Sequence, residues 1–142
     1  MKANYIGYPC MNRNLRDRDP PLRANRSLRR KTLESKGLEY VSELVQKNLT
    51  DLQKILEWNV EHNIYFYRCT SELVPWNAEY KLEELPEFQE IQRLFVEIGS
   101  YIKSHNIRFT FHPDHYVKLA SPTDSTVDGW MRWDSHGHHF IA

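Results

Sequence analysis

Three short runs of strand-forming residues punctuate this chain, at 5–8, 64–69 and 107–111, and stretches with helical apolar spacing lie between and beyond them. The runs are too short and too apolar for an exposed antiparallel sheet. Parallel strands joined by helical crossovers are the natural solution. Residues 40–61 carry Val41, Leu44, Val45, Leu49, Leu52, Ile55 and Leu56 at helical intervals, with Glu43, Lys47, Asp51 and Lys54 on other faces. After Pro86, the stripe Phe88, Ile91, Phe95, Ile98 and Ile102 is the cleanest amphipathic pattern in the chain. A final helix is expected after Ser121-Pro122-Thr123, weakened by Gly129 and Gly137. The order β-α-β-α-β-α makes this an α/β chain of one domain, 1–142, with about three βα units.

The chemistry gathers where strands stop. The third run ends in Phe111-His112-Pro113-Asp114-His115-Tyr116. Proline cannot continue a ladder, so these polar groups leave the sheet together. The first strand delivers Tyr8 and Asn12, and the second Arg68 and Glu72. Polar groups at the carboxyl ends of successive parallel strands are what the rim of a (β/α) barrel looks like. Tyr8, Arg68 and His112 are therefore expected near one rim. His112 is a candidate metal ligand, although a lone histidine after a strand is more often packed or capping.

Acids and bases balance over the 142 residues, but their distribution is uneven. The connection at about 13–36 holds nine bases against three acids, including Arg26, Arg29 and Arg30. It is too long for an ordinary loop. It reads either as a solvated surface or as a segment that neutralises a polyanion. Cys10 and Cys69 suggest no disulfide framework; buried inert thiols in a reducing cytosol are the default. With no long apolar stretch and no signal peptide ahead of Tyr5, the expected setting is soluble and cytoplasmic.

Several segments together resemble the UV damage endonuclease family. They are Gly7-Tyr8-Pro9-Cys10-Met11-Asn12, Asn48-Leu49-Thr50-Asp51-Leu52, Ile55-Leu56-Glu57-Trp58-Asn59, Tyr67-Arg68, Leu73-Val74-Pro75-Trp76, His112-Pro113 and Ser121-Pro122. No single piece is decisive; the ordered set is specific. The resemblance implies a partial TIM (β/α) barrel related to endonuclease IV. It also implies excision repair of double-stranded DNA, with incision on the 5′ side of UV photoproducts by a cluster of divalent metals, commonly Mn²⁺. By position, His112 corresponds to a metal ligand, and Tyr8 and Asn12 to the lesion-facing cleft. His115 and Tyr116 stand where the family has a Gln-Tyr probe, and an aromatic wedge can replace a lost base stack.

Two departures accompany the resemblance. Ala78-Glu79 stands where the family carries Ser-His, so Glu79 is either a substitute ligand or an unrelated loop carboxylate. A whole barrel takes about 250 residues, and this chain resembles its N-terminal portion. The family's later metal ligands fall outside it, so the chain alone is expected to be inactive. His138 and His139 read as a solvated terminus. The alternatives are a non-catalytic DNA-binding piece, or one part of a barrel completed by a second chain; a sugar isomerase of the same superfamily ranks lower.

Overall fold

The computed structural model describes residues 6–112. In order, these form strand β1 (Gly7–Pro9), helix α1 (Arg13–Arg16), helix α2 (Arg30–Glu61), strand β2 (Phe66–Cys69), helix α3 (Phe88–Ser104) and strand β3 (Arg108–Phe111). Single 3₁₀ turns at Ser71–Leu73 and Leu82–Glu84 lie between β2 and α3. The sheet order is β1-β2-β3 and both pairings are parallel. The expected final helix lies outside the described residues.

Register makes the sheet's two faces distinct. Tyr8 pairs with Tyr67 and Tyr67 with Phe109, while Pro9 pairs with Arg68 and Arg68 with Thr110. Side chains alternate along a strand, so Tyr8, Tyr67, Cys69, Phe109 and Phe111 share one face. Helices α2 and α3 cover that face. Tyr67 and Cys69 are fully buried there with Leu49, Leu52, Ile55, Leu56, Ile91 and Ile98. The opposite face carries Gly7, Pro9, Phe66, Arg68, Arg108 and Thr110. Gly7, Pro9, Arg68 and Arg108 on it are exposed. Parallel sheets are ordinarily covered on both faces, so among the described residues this second face stands open where a full α/β fold would cover it.

Two glycines do specific work. A Cβ at Gly7 would sit 2.0 Å from the Phe66 carbonyl oxygen, so only glycine lets β1 approach β2 this closely. Gly37 interrupts α2 with φ 67° and ψ −164°. The regular amphipathic helix begins just beyond it, near the predicted start. Residues 30–36, expected as connection, coil into an extra helical stretch ahead of this break.

Helices α2 and α3 end on the same sequence device. Trp58 and His62, and likewise Tyr101 and His105, stand four residues apart and stack at centroid distances of 3.8 and 4.0 Å. Each imidazole Nδ1 lies within hydrogen-bond distance of the carbonyl four residues back, at 2.8 and 3.0 Å. Asn63 and Asn106 follow in the left-handed region, at φ 58° and 52°. Each then passes the chain to an isoleucine whose N–H returns to the helix, Ile64 to Asn59 and Ile107 to Ile102.

Candidate functional site

The carboxyl ends of the strands divide the expected rim. His112 continues the ladder, its N–H reaching the Cys69 carbonyl at 2.7 Å. By alternation from Arg108 and Thr110 it belongs to the open face, where Arg68 also lies, and both are exposed. Tyr8 does not join them. It is in register with Tyr67, one residue short of Arg68, and its ring meets Tyr67 edge-on at 5.3 Å within the helical layer.

A polar chain holds Tyr8 there. The Asn12 side chain caps α1, its Oδ1 accepting from the Leu15 N–H at 3.1 Å. Asn12 Nδ2 donates to the Tyr8 hydroxyl at 2.8 Å, and that hydroxyl donates to Asn59 Oδ1 at 2.5 Å. Burial raises the Tyr8 phenol pKa, partly offset by its hydrogen bonds with Asn12 and Asn59. Tyr8 and Asn12 line a groove of about 560 Å³ with Met11, Arg13, Arg16, Trp58 and Ile64. Pro9 of β1, an edge strand among the described residues, lines it too.

The basic segment also divides. Arg26 turns inward, its guanidinium 2.7 Å from the Asp51 carboxylate and only 19% exposed. Its backbone is gripped by Asn48, which accepts the Arg26 N–H and donates to the Arg26 carbonyl, both at 3.0 Å. Asn48 Nδ2 also reaches the carbonyls of Glu72 and Leu73. Arg26 is thus a clasp between the basic connection and α2. Arg29 precedes the first turn of α2 and is exposed. Arg30 lies over the Trp76 ring at 5.0 Å and 3.2 Å from Glu79, with 58% of its side chain exposed.

Glu79 is therefore the ion-pair partner of Arg30. Among the described residues no three His, Cys, Asp or Glu side chains converge to hold a metal. The described donor set does not fit a multi-metal centre, with His112 at one place and Glu79 turned to a guanidinium. His115 and Tyr116 lie outside the described residues. The thiols are unactivated: burial pushes both Cys10 and Cys69 up, Cys69 strongly, while Arg68 pulls Cys10 partly back. Cys69 is buried as expected, and Cys10 only partly so. Sequence reasoning assigns no role to Asn48, Asp51 or Asn59. Asn48 and Asn59 do interrupt the apolar face of α2 as polar residues, whereas Asp51, expected on another face, is buried with them because Arg23 and Arg26 draw its carboxylate against the basic connection.

A family model described as UV-endonuclease UvdE matches residues 4–138. The chain belongs to that family. It is 35% identical over 127 residues to the UV-damage endonuclease of Schizosaccharomyces pombe, covering 89% of this chain and 21% of that protein. It is 31% identical over 123 residues to the UV DNA damage endonuclease of Clostridium perfringens, covering 86% of this chain and 27% of the relative. A crystal structure of SacUVDE superposes with a TM-score of 0.72 at 27% identity, covering 95% of this chain and 43% of that one. The chain thus spans between about a fifth and about a quarter of these two curated relatives' length. Among the described residues no helix is long and apolar enough to cross a membrane.

Proposed function

We propose that this chain supplies the first βα units of a UV damage endonuclease barrel acting on double-stranded DNA that carries UV lesions. The reaction proposed for the completed barrel is phosphodiester hydrolysis on the 5′ side of the photoproduct. The observation that carries this reading is the open sheet face bearing Arg68 and His112 in a chain matched to the family over residues 4–138. In a (β/α) barrel, groups at the carboxyl ends of several strands are pooled into one site. Arg29 and Arg30 at the start of α2 extend that side with guanidiniums suited to phosphate, while Arg26 serves the fold.

His112 is proposed as one donor to a divalent ion such as Mn²⁺. Because the described residues gather no cluster of donors, no catalytic step is assigned to them. The proposed contribution of this chain is DNA contact, and incision needs donors from elsewhere. Binding of irradiated and unirradiated duplex oligonucleotides tests this. Preference for irradiated duplex supports the reading, and equal absence of binding to both refutes it.

A second reading, one part of a split or oligomeric barrel, is favoured by a specific observation. The described sheet leaves β1 and β3 unpaired on their outer edges and one face uncovered. Light scattering of the purified chain tests it: a monomer at all concentrations argues against self-assembly.

A further inference from the structure

We propose that Asn59 is a positioning residue, which sets how Tyr8 and Asn12 present their polar atoms in the groove beside β1. This rests on the reading above that the completed barrel acts on DNA, and on the resemblance of Tyr8 and Asn12 to residues of the family's lesion-facing cleft.

With the Asn59 amide oriented as the structure has it, Oδ1 toward the phenol, the hydrogens have one arrangement. Asn12 cannot flip its amide without losing the cap, because its Oδ1 receives the Leu15 N–H. Its Nδ2 must then face the Tyr8 oxygen, which makes that oxygen an acceptor on this side. The phenol proton has to go elsewhere, and Asn59 Oδ1, from a helix 51 residues away in sequence, receives it. The dipoles run in one direction, from Asn12 through Tyr8 to Asn59. A hydroxyl has one donor and two acceptor sites, and a side-chain amide nitrogen has two N–H groups. One Tyr8 lone pair and one Asn12 N–H therefore remain uncommitted, on a half-buried and a buried residue that both line the groove.

Asn59 is suited to hold this arrangement. It is 1% exposed, so no solvent competes for its carbonyl oxygen. Its Nδ2 is buried without a hydrogen-bond partner, a cost tolerated while Oδ1 faces the phenol. Trp58, Arg13 and Arg16 also line the groove, the Arg16 guanidinium being paired with Asp17 at 2.6 Å. A donor, an acceptor, an aromatic residue and the Arg13 cation suit a nucleotide: a base edge with carbonyls, and a phosphate beside it.

The test uses the 142-residue chain with 3-fluorotyrosine placed at position 8. The probes are a UV-irradiated duplex oligonucleotide and its unirradiated twin, and binding is read by fluorescence anisotropy. Asn59→Leu should weaken binding of the irradiated duplex by about fivefold to tenfold, the value of one hydrogen bond. Asn59→Asp, which keeps the acceptor, should stay within about twofold of the parent, less than half a hydrogen bond's worth. In a Tyr8→Phe background, without the fluorotyrosine, Asn59→Leu should add nothing, because both changes remove the same bond. The fluorine resonance should move in Asn59→Leu and hold in Asn59→Asp. Affinity unchanged in an Asn59→Leu chain that melts at the parent temperature would overturn the proposal. If the parent binds neither duplex, the DNA reading fails, and the fluorine resonance alone then decides: an unmoved signal in Asn59→Leu overturns the positioning role.

Discussion

Arg26 and Asp51 form the most sheltered ion pair among the described residues, 2.7 Å apart with side chains 19% and 11% exposed. Asp51 also accepts the Arg23 N–H at 3.1 Å, so one carboxylate ties two points of the basic connection to α2. Truncating one partner strands the other in a partly desolvated place. Arg26→Ala is expected to lower stability by about 1–3 kcal/mol, with Asp51→Asn similar. Urea unfolding of both variants checks this. A loss in DNA affinity without any stability change would instead make Arg26 a ligand contact.

Gly7→Ala is expected to cost at least about 2 kcal/mol, because the new methyl would meet backbone and not a yielding side-chain end. A thermal melt decides it. A variant as stable as the parent would mean that β1 and β2 separate freely.

The exposed guanidiniums of Arg29 and Arg30 carry the prediction for DNA. Replacing both by Gln should weaken binding uniformly across sequences, and the salt slope should fall by about one for each phosphate left without its guanidinium. Arg26→Gln should leave the slope in place. An unchanged slope in the Arg29/Arg30 double variant would return this segment to a solvated surface.

Stability should fall in alkali. Burial raises the Tyr8 and Tyr67 phenols and the Cys69 thiol in the folded chain, so folding favours their protonated forms. That contribution is complete below the ordinary unfolded values of about 8.5 for the thiol and 10 for the phenols, and is lost as pH rises beyond them. Midpoints of urea unfolding between about pH 8 and 11 should decline, less steeply in Tyr8→Phe. A flat profile would contradict the burial of these groups.

The strand and helix order is legible in the sequence because apolar spacing reports which face is buried, and the parallel pairing follows from strands too short for exposed hairpins. The parallel neighbouring strands expected for Tyr8, Arg68 and His112 are present, and register splits the three residues between two faces. A shared face requires each residue to follow its strand at the same point, yet Pro9, and not Tyr8, is the partner of Arg68. One residue of offset moves a side chain to the other face. Arg26 is unreadable in a different way. A basic run shows charge, but only tertiary packing reveals that Asp51 and Asn48 claim one of its members. Glu79 likewise reads as either a substitute ligand or an unrelated loop carboxylate until folding brings Arg30 to it across 49 residues.

This chain should engage damaged DNA without completing the incision centre. One gel tests that, with UV-irradiated supercoiled plasmid, the 142-residue chain and Mn²⁺, run before and after protein removal. The expected result is retarded plasmid that returns to the supercoiled band when protein is removed, since an ion without a preorganised donor cluster stays mobile and mostly hydrated. Lesion-dependent conversion to the nicked form, abolished by His112→Ala, would contradict it.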